Sequence, residues 1–218
     1  MEMRQSAPER MQSLGEEIAN SLSHGLGFLL AAAVGVPLLI MSAANHTGAA
    51  GIVGASVFGA GMVLLYLTSC LYHALPPSRL KQLFQILDHS AIFILIAGTY
   101  TPFTLGVLWG GWGWTLFGLV WGFAFAGILL KAFGGVRFPV LSTSLYLGMG
   151  WLALIAVRPL WQHVPLSGLL WLLAGGLAYT FGVIFYSVDR IRYMHFVWHV
   201  FVLAGTTCHF VAVLRYAI

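Results

Sequence analysis

Apolar and polar positions fall in long blocks along this chain rather than alternating residue by residue. Seven apolar stretches follow one another at roughly 22–43, 51–75, 86–109, 112–131, 138–158, 166–187 and 194–216. Each is close to the ~20 residues an α-helix needs to cross a bilayer. Runs that stay apolar on every face are not the strands of a closed β-barrel, which alternate. The linkers "NHTGAAG", "PPSRLKQ", "GGWG", "GGVRFP", "RPLWQHVP" and "DRIRY" are short and carry turn and interface residues. Short linkers force successive helices to be antiparallel. The pattern predicts an all-α, polytopic membrane protein, a seven-transmembrane-helix bundle. Trp112, Trp114, Trp151, Trp161 and Trp171 fall near span ends or early turns, where interfacial aromatics belong.

The first twenty residues, "MEMRQSAPERMQSLGEEIAN", are polar and mixed in charge. They lack the apolar core of a secretory signal, so no cleavage is expected. "SLGE" at Ser13–Glu16 fits a capping box. The segment 1–20 thus reads as a cytoplasmic N-terminal segment with a short interfacial helix, residues 1–12 having a disordered tail as the alternative. Residues 21–218 read as one membrane domain.

Composition supports this class. The 218 residues are 60% hydrophobic and 7% charged, with a mean hydropathy of +0.90. A soluble domain carries about 25% charged residues, so this chain cannot cover itself with a polar surface.

Charge then gives orientation. With the N-terminus inside, Arg4, Arg10, Arg79, Lys81, Lys131, Arg137, Arg190 and Arg192 lie on the cytoplasmic side, and only Arg158 and Arg215 lie outside. That is the positive-inside bias. Seven spans place the C-terminus outside. Basic inner linkers suit anionic lipid headgroups, so membrane lipids are the expected partners and nucleic acid is not.

The same orientation sorts the eight histidines. His46 and His163 sit in outer linkers, and His209 lies in the outer half of span 7. His24, His73, His89, His195 and His199 all reach the inner end of the bundle, from four helices. Asp88 joins them as the acidic residue expected within a span, with Asp189 at the polar inner boundary. An intramembrane carboxylate marks a functional site by default. On a helix, residues i and i+4 lie ~40° apart in angle and ~6 Å apart in rise, so His195 and His199 can reach one ion. A third histidine from another helix would leave an open position for water, the form of a catalytic zinc site. His24 and His89 read instead as amphipathic interface residues. His209, ~15 Å further along its helix than His199, reads as an interhelical hydrogen-bond donor.

"SCLYH" at Ser69–His73, "LDHSAIFILIAGTYTPF" at 87–103 and the pair His195-x-x-x-His199, with "NSLSHGLG" at 20–27, together resemble the haemolysin III family. That family is the bacterial branch of the progestin and adipoQ receptor proteins, distantly similar to alkaline ceramidases. The resemblance covers the chain after about Glu16. It implies a seven-helix bundle in a bacterial inner (plasma) membrane, with Zn2+ held by His73, His195 and His199. By the same resemblance, Asp88 matches the aspartate that holds or activates the water on that zinc, and Ser69 matches the serine one turn before the first histidine.

These residues suggest a zinc-dependent hydrolase of a lipid amide or ester near the inner leaflet. Asp88 would orient water and take its proton, and Ser69 would donate to the oxyanion. The bland alternative for Ser69 is a hydroxyl bonded back to the carbonyl of Leu65. A rival function is a non-catalytic sensor, receptor-like or membrane-homeostasis protein with a structural zinc. A secreted cytolysin is disfavoured, because a toxin must be soluble before it inserts and this chain cannot be. A retinal protein is disfavoured because Lys81 and Lys131 both lie at linkers or helix ends. Cys70 and Cys208 read as small packing residues. Small-residue runs at 54–61 and 172–182 allow close packing within the chain or in a homo-oligomer.

Overall fold

The computed structural model describes residues 10–188 and 190–218. The expectations for residues 1–9, Arg4 included, and for Asp189 lie outside the described residues. Among the described residues, seven helices are long and apolar enough to cross a membrane: α1 (Leu14–His46), α2 (Gly48–Ala74), α3 (Arg79–Leu105), α4 (Gly111–Gly134), α5 (Pro139–His163), α6 (Leu166–Tyr186) and α7 (Met194–Tyr216). No strand occurs among the described residues. The all-α, seven-span expectation therefore holds.

The helix ends follow from local chemistry. Ser13 caps α1, its hydroxyl accepting the Glu16 N–H at 3.4 Å while the Glu16 carboxylate accepts the Ser13 N–H at 2.9 Å. That is the capping box expected from "SLGE". The consequence is larger than foreseen, because α1 starts at Leu14 and runs unbroken into the first span. Glu16 and Glu17 thus belong to the bundle, and Asp88 is not the sole helical carboxylate. α2 ends at Ala74, since Pro76 and Pro77 cannot continue it. Ser78 then caps α3 by accepting the Lys81 N–H at 3.1 Å.

Two helices depart from regular geometry. A π-helical turn, Ala31–Gly35, precedes Pro37 in α1. In α5 a 3-10 stretch, Trp151–Ala156, precedes Pro159. Proline has no N–H to donate, so the preceding turn must find other geometry. The Tyr100 hydroxyl of α3 reaches the second break: it lies 2.9 and 2.8 Å from the carbonyls of Met149 and Gly150 and accepts the Ala153 N–H at 3.0 Å.

The bundle centre is built by close approach of α2 and α3. A Cβ on Gly54 would lie 2.7 Å from Pro102 Cα, and one on Gly61 would lie 3.2 Å from Leu95 Cα. On the other side, Gly175 and Gly182 of α6 admit His209 and Trp198 of α7. Both small-residue runs are therefore used inside the chain. Phe58, Leu65, Tyr66 and Val202 fill the core between these pairs, while Phe125, Leu170 and Val200 point outward. Without a hydrophobic effect between helices in lipid, such close van der Waals packing is what holds them together. Gly54→Ala should accordingly cost about 1–3 kcal/mol by overpacking. Gly122→Ala on α4, where a Cβ meets nothing, should leave stability unchanged or raised. Unfolding midpoints in detergent check the pair, and equal midpoints for both variants would refute the packing.

Candidate metal centre

The antiparallel order brings the start of α1, the end of α2 and the starts of α3 and α7 to one end of the bundle. α7 enters through Tyr193, whose φ of 64° is left-handed. A bulky residue rarely adopts that conformation. Here its N–H is held by Glu16 Oε1 at 2.9 Å, so α1 sets where α7 begins. Glu16 also pairs with Arg10. The next turn of α7 carries His195 and His199.

His73, His195 and His199 converge as expected. Each offers a ligand atom, and these atoms lie within 4.8 Å of one another. Ring centroids are 5.1 Å apart for His73 and His195, 5.0 Å for His73 and His199, and 4.7 Å for His195 and His199. Nitrogen ligands around one tetrahedral zinc lie roughly 3.4 Å apart, so small ring movements close the three onto an ion. The donor set fits a metal in a second way. His73 Nδ1 is taken by Glu17 Oε2 at 2.7 Å, yet its Nε2 is buried with no partner. A buried polar atom left unpaired is costly unless something absent from the protein itself completes it. Three neutral imidazoles suit zinc, copper, iron or nickel.

Asp88 and Ser69 lie beside the histidines and outside the ligand cluster. Together with His24, His89, His195 and His199 they line a cavity of about 100 Å³. Both are buried. The Ser69 hydroxyl faces the Asp88 carboxylate and bonds to no backbone carbonyl, and the Leu65 carbonyl accepts from Thr68 Oγ1 at 3.2 Å. The back-bonded reading of Ser69 is thus not what the structure shows. The cavity continues past Leu95, Ile96, Val183 and Val202 to Trp151 and Thr180, between α3, α5, α6 and α7. Trp151 does not sit in an interfacial belt. It turns inward and donates to Thr180 Oγ1 at 3.1 Å.

Other histidines sort differently from their sequence reading. His24 is 2% exposed, not interfacial, and stacks on His199 with centroids 3.7 Å apart and planes 6° apart. The cause is the early start of α1, which puts His24 well inside the helix and on its buried face. His89 is partly buried and lines the cavity beside Asp88, its Nδ1 donating to the Gln85 carbonyl at 2.8 Å. His209 bonds Leu172 O of α6 at 3.2 Å, the interhelical role expected of it. Lys131 falls in the last turn of α4, as expected, but is buried.

One group lies at the centre although the hydropathy pattern does not place it there. Glu16, Asn20, His24 and Gly27 form the buried face of the first helix at helical spacing. Asn20 and Ser23 meet His199 Nδ1, through the Asn20 carbonyl at 3.3 Å and the Ser23 hydroxyl at 3.1 Å. The recurrence of polar residues at that spacing, in the midst of apolar ones, was the available signal.

Comparison with known proteins shows the family. The family model described as "Haemolysin-III related" matches residues 12–210. The chain is 47% identical over 208 residues to a "Hemolysin-3 homolog" of Bacillus subtilis (strain 168), covering 95% of this chain and 97% of that protein. It is 44% identical over 207 residues to "Hemolysin-3" of Bacillus cereus, covering 95% and 94%. A more distant similarity, 27% over 214 residues, links it to the human "Monocyte to macrophage differentiation factor", covering 92% and 84%.

Proposed function

This chain belongs to the haemolysin-III-related family, and on that premise we propose that it is a multi-pass protein of the bacterial inner membrane whose His73, His195 and His199 hold one zinc ion for hydrolysis of a lipid amide or ester at the inner leaflet. The observation that carries the reading is the unpaired, buried Nε2 of His73 among three converging imidazoles, with two further polar side chains facing the same cavity. A zinc ion there supplies Lewis-acid polarisation of a carbonyl and lowers the pKa of a water in contact with it to ~7.

The chain's own residues supply the rest. Asp88 accepts the proton of the attacking water, through a carboxylate oxygen, as the water oxygen bonds to the acyl carbon. The Ser69 hydroxyl donates to the oxygen that gains charge in that step. The proton then passes from Asp88 to the leaving amine or alcohol as the carbon–nitrogen or carbon–oxygen bond breaks. Ser69 stands beside the Asp88 carboxylate on the same cavity and bonds to no backbone carbonyl, so its hydroxyl can turn to the oxygen that gains charge as Asp88 takes the proton. The apolar walls from Leu95 to Val202 exclude bulk water from the polar end of the cavity and give an acyl group apolar contact. Wild type with metal should release fatty acid from a ceramide-like amide or a phospholipid ester, and a chelator should stop it. Release that a chelator leaves unchanged would refute the metal's part in it. Full metal loading with no turnover on any amide or ester class would favour the sensor reading, in which the ion only ties α2 to α7.

Topology is part of the proposal. Arg79 at the start of α3 and the linker residues Arg137, Arg190 and Arg192 lie at the end that holds the histidines, and the N-terminus of α1 shares it. Reporter fusions after Arg79, Arg137 or Arg192 should read cytoplasmic, and those after His163 or at Ile218 external. The reverse pattern would put the centre at the outer leaflet and overturn the substrate side.

A further inference from the structure

Glu17 lies on the first turn of α1, far in sequence from every histidine of the centre. Its carboxylate bridges two other helices: Oε2 is 2.7 Å from His73 Nδ1 and Oε1 is 2.8 Å from Lys81 Nζ. Lys81 also donates to the Tyr72 and Leu75 carbonyls at 3.0 and 3.1 Å, at the end of α2. Those carbonyls have no helical partner of their own. Lys81 therefore fastens Glu17 to the very turn that carries His73.

An ionised carboxylate only accepts hydrogen bonds, so the 2.7 Å contact requires the proton on His73 Nδ1. The lone pair is then on Nε2, the atom that is buried without a partner. The same helix treats His199 in the same way. The Asn20 carbonyl, also acceptor-only, lies 3.3 Å from His199 Nδ1 and places that proton too. Glu17 meets the outer nitrogen of its histidine, on the far side of the ring from Nε2, so it is not itself a ligand.

Building on the metal reading of the three histidines, we propose that Glu17, anchored by Lys81, is a positioning residue that fixes the ring and tautomer of His73 and raises its strength as a ligand. Partners of this kind around a metal-binding histidine typically change affinity by 10–100-fold. In the chain as a whole, docking of the first turns of α1 thereby assembles a centre whose ligands lie on α2 and α7.

The test uses the full-length protein in detergent, with zinc affinity read by competition against a chromophoric chelator and the visible spectrum read after loading with cobalt(II). Glu17→Ala should weaken zinc binding by about 10–100-fold. Glu17→Gln keeps the shape and one acceptor but loses the charge. It should weaken binding by less and shift the cobalt bands, with the unfolding midpoint of the metal-free protein unchanged. Lys81→Met should weaken binding less than Glu17→Ala, because the carboxylate remains. Should Glu17→Ala fail to fold, the near-isosteric Glu17→Gln decides the matter. Wild-type affinity and wild-type bands in Glu17→Gln would overturn the proposal, as would an affinity loss matched by the same loss in the exposed control His163→Gln. A wild type that binds no zinc would instead defeat the reading of the centre itself.

Discussion

Alanine in place of His73, His195 or His199 should each remove most of the bound metal. The loss should exceed the roughly 10–100-fold that an outer partner costs, because a donor atom is deleted outright. The physical basis is the convergence of the three ligand atoms within 4.8 Å of one another. His46→Ala, His163→Ala and His209→Ala should keep the ion. The first two are exposed, and His209 is committed to the Leu172 carbonyl. His24→Ala removes a ring that stacks on His199 and should leave the metal in place with the three ligands intact. Metal-to-protein ratios after gel filtration distinguish these outcomes. Loss of the ion on His24→Ala or His89→Ala, with retention on His73→Ala, would mean a different ligand set.

Asp88→Asn should retain the metal and lose about 10²–10⁴-fold in rate, the usual contribution of a positioned base. Asparagine keeps the size of the side chain but cannot take a proton. The prediction rests on Asp88 standing outside the ligand cluster while lining the same cavity. Ser69→Ala should also retain the metal and lose less rate, since it removes one donor and no base. The assay offers a panel of ceramide-like amides and phospholipid esters and follows fatty acid release. Equal release by wild type and Asp88→Asn, both fully loaded, would remove the base from the mechanism and favour a structural ion.

The spans were legible because a bilayer demands long apolar runs, and five of the seven helices start within about three residues of the expected place, while α1 and α3 start earlier, at Leu14 and Arg79. His195 and His199 were legible because i and i+4 share a helix face. His73 and Asp88 were legible because span order carried them to the same depth. What escaped was α1. Glu16 and Glu17 fall in the polar segment 1–20, which the hydropathy pattern sets outside the first span. Their burial depends on Arg10, His73, Lys81 and the Tyr193 N–H, partners from three other parts of the chain. No local pattern announces such partners. His24 was misplaced for the same reason, since its depth follows from where α1 begins. Trp151 was misplaced because a broken α5 rotates it inward, a departure tied to Pro159 and to the Tyr100 hydroxyl rather than to hydropathy.

The metal content of the native protein, extracted without chelators and measured by elemental analysis, is the most direct test of the histidine centre. About one zinc per chain in wild type, falling to background in His73→Ala, is the predicted result. Background zinc in a folded wild type that also fails to take up added zinc would contradict it.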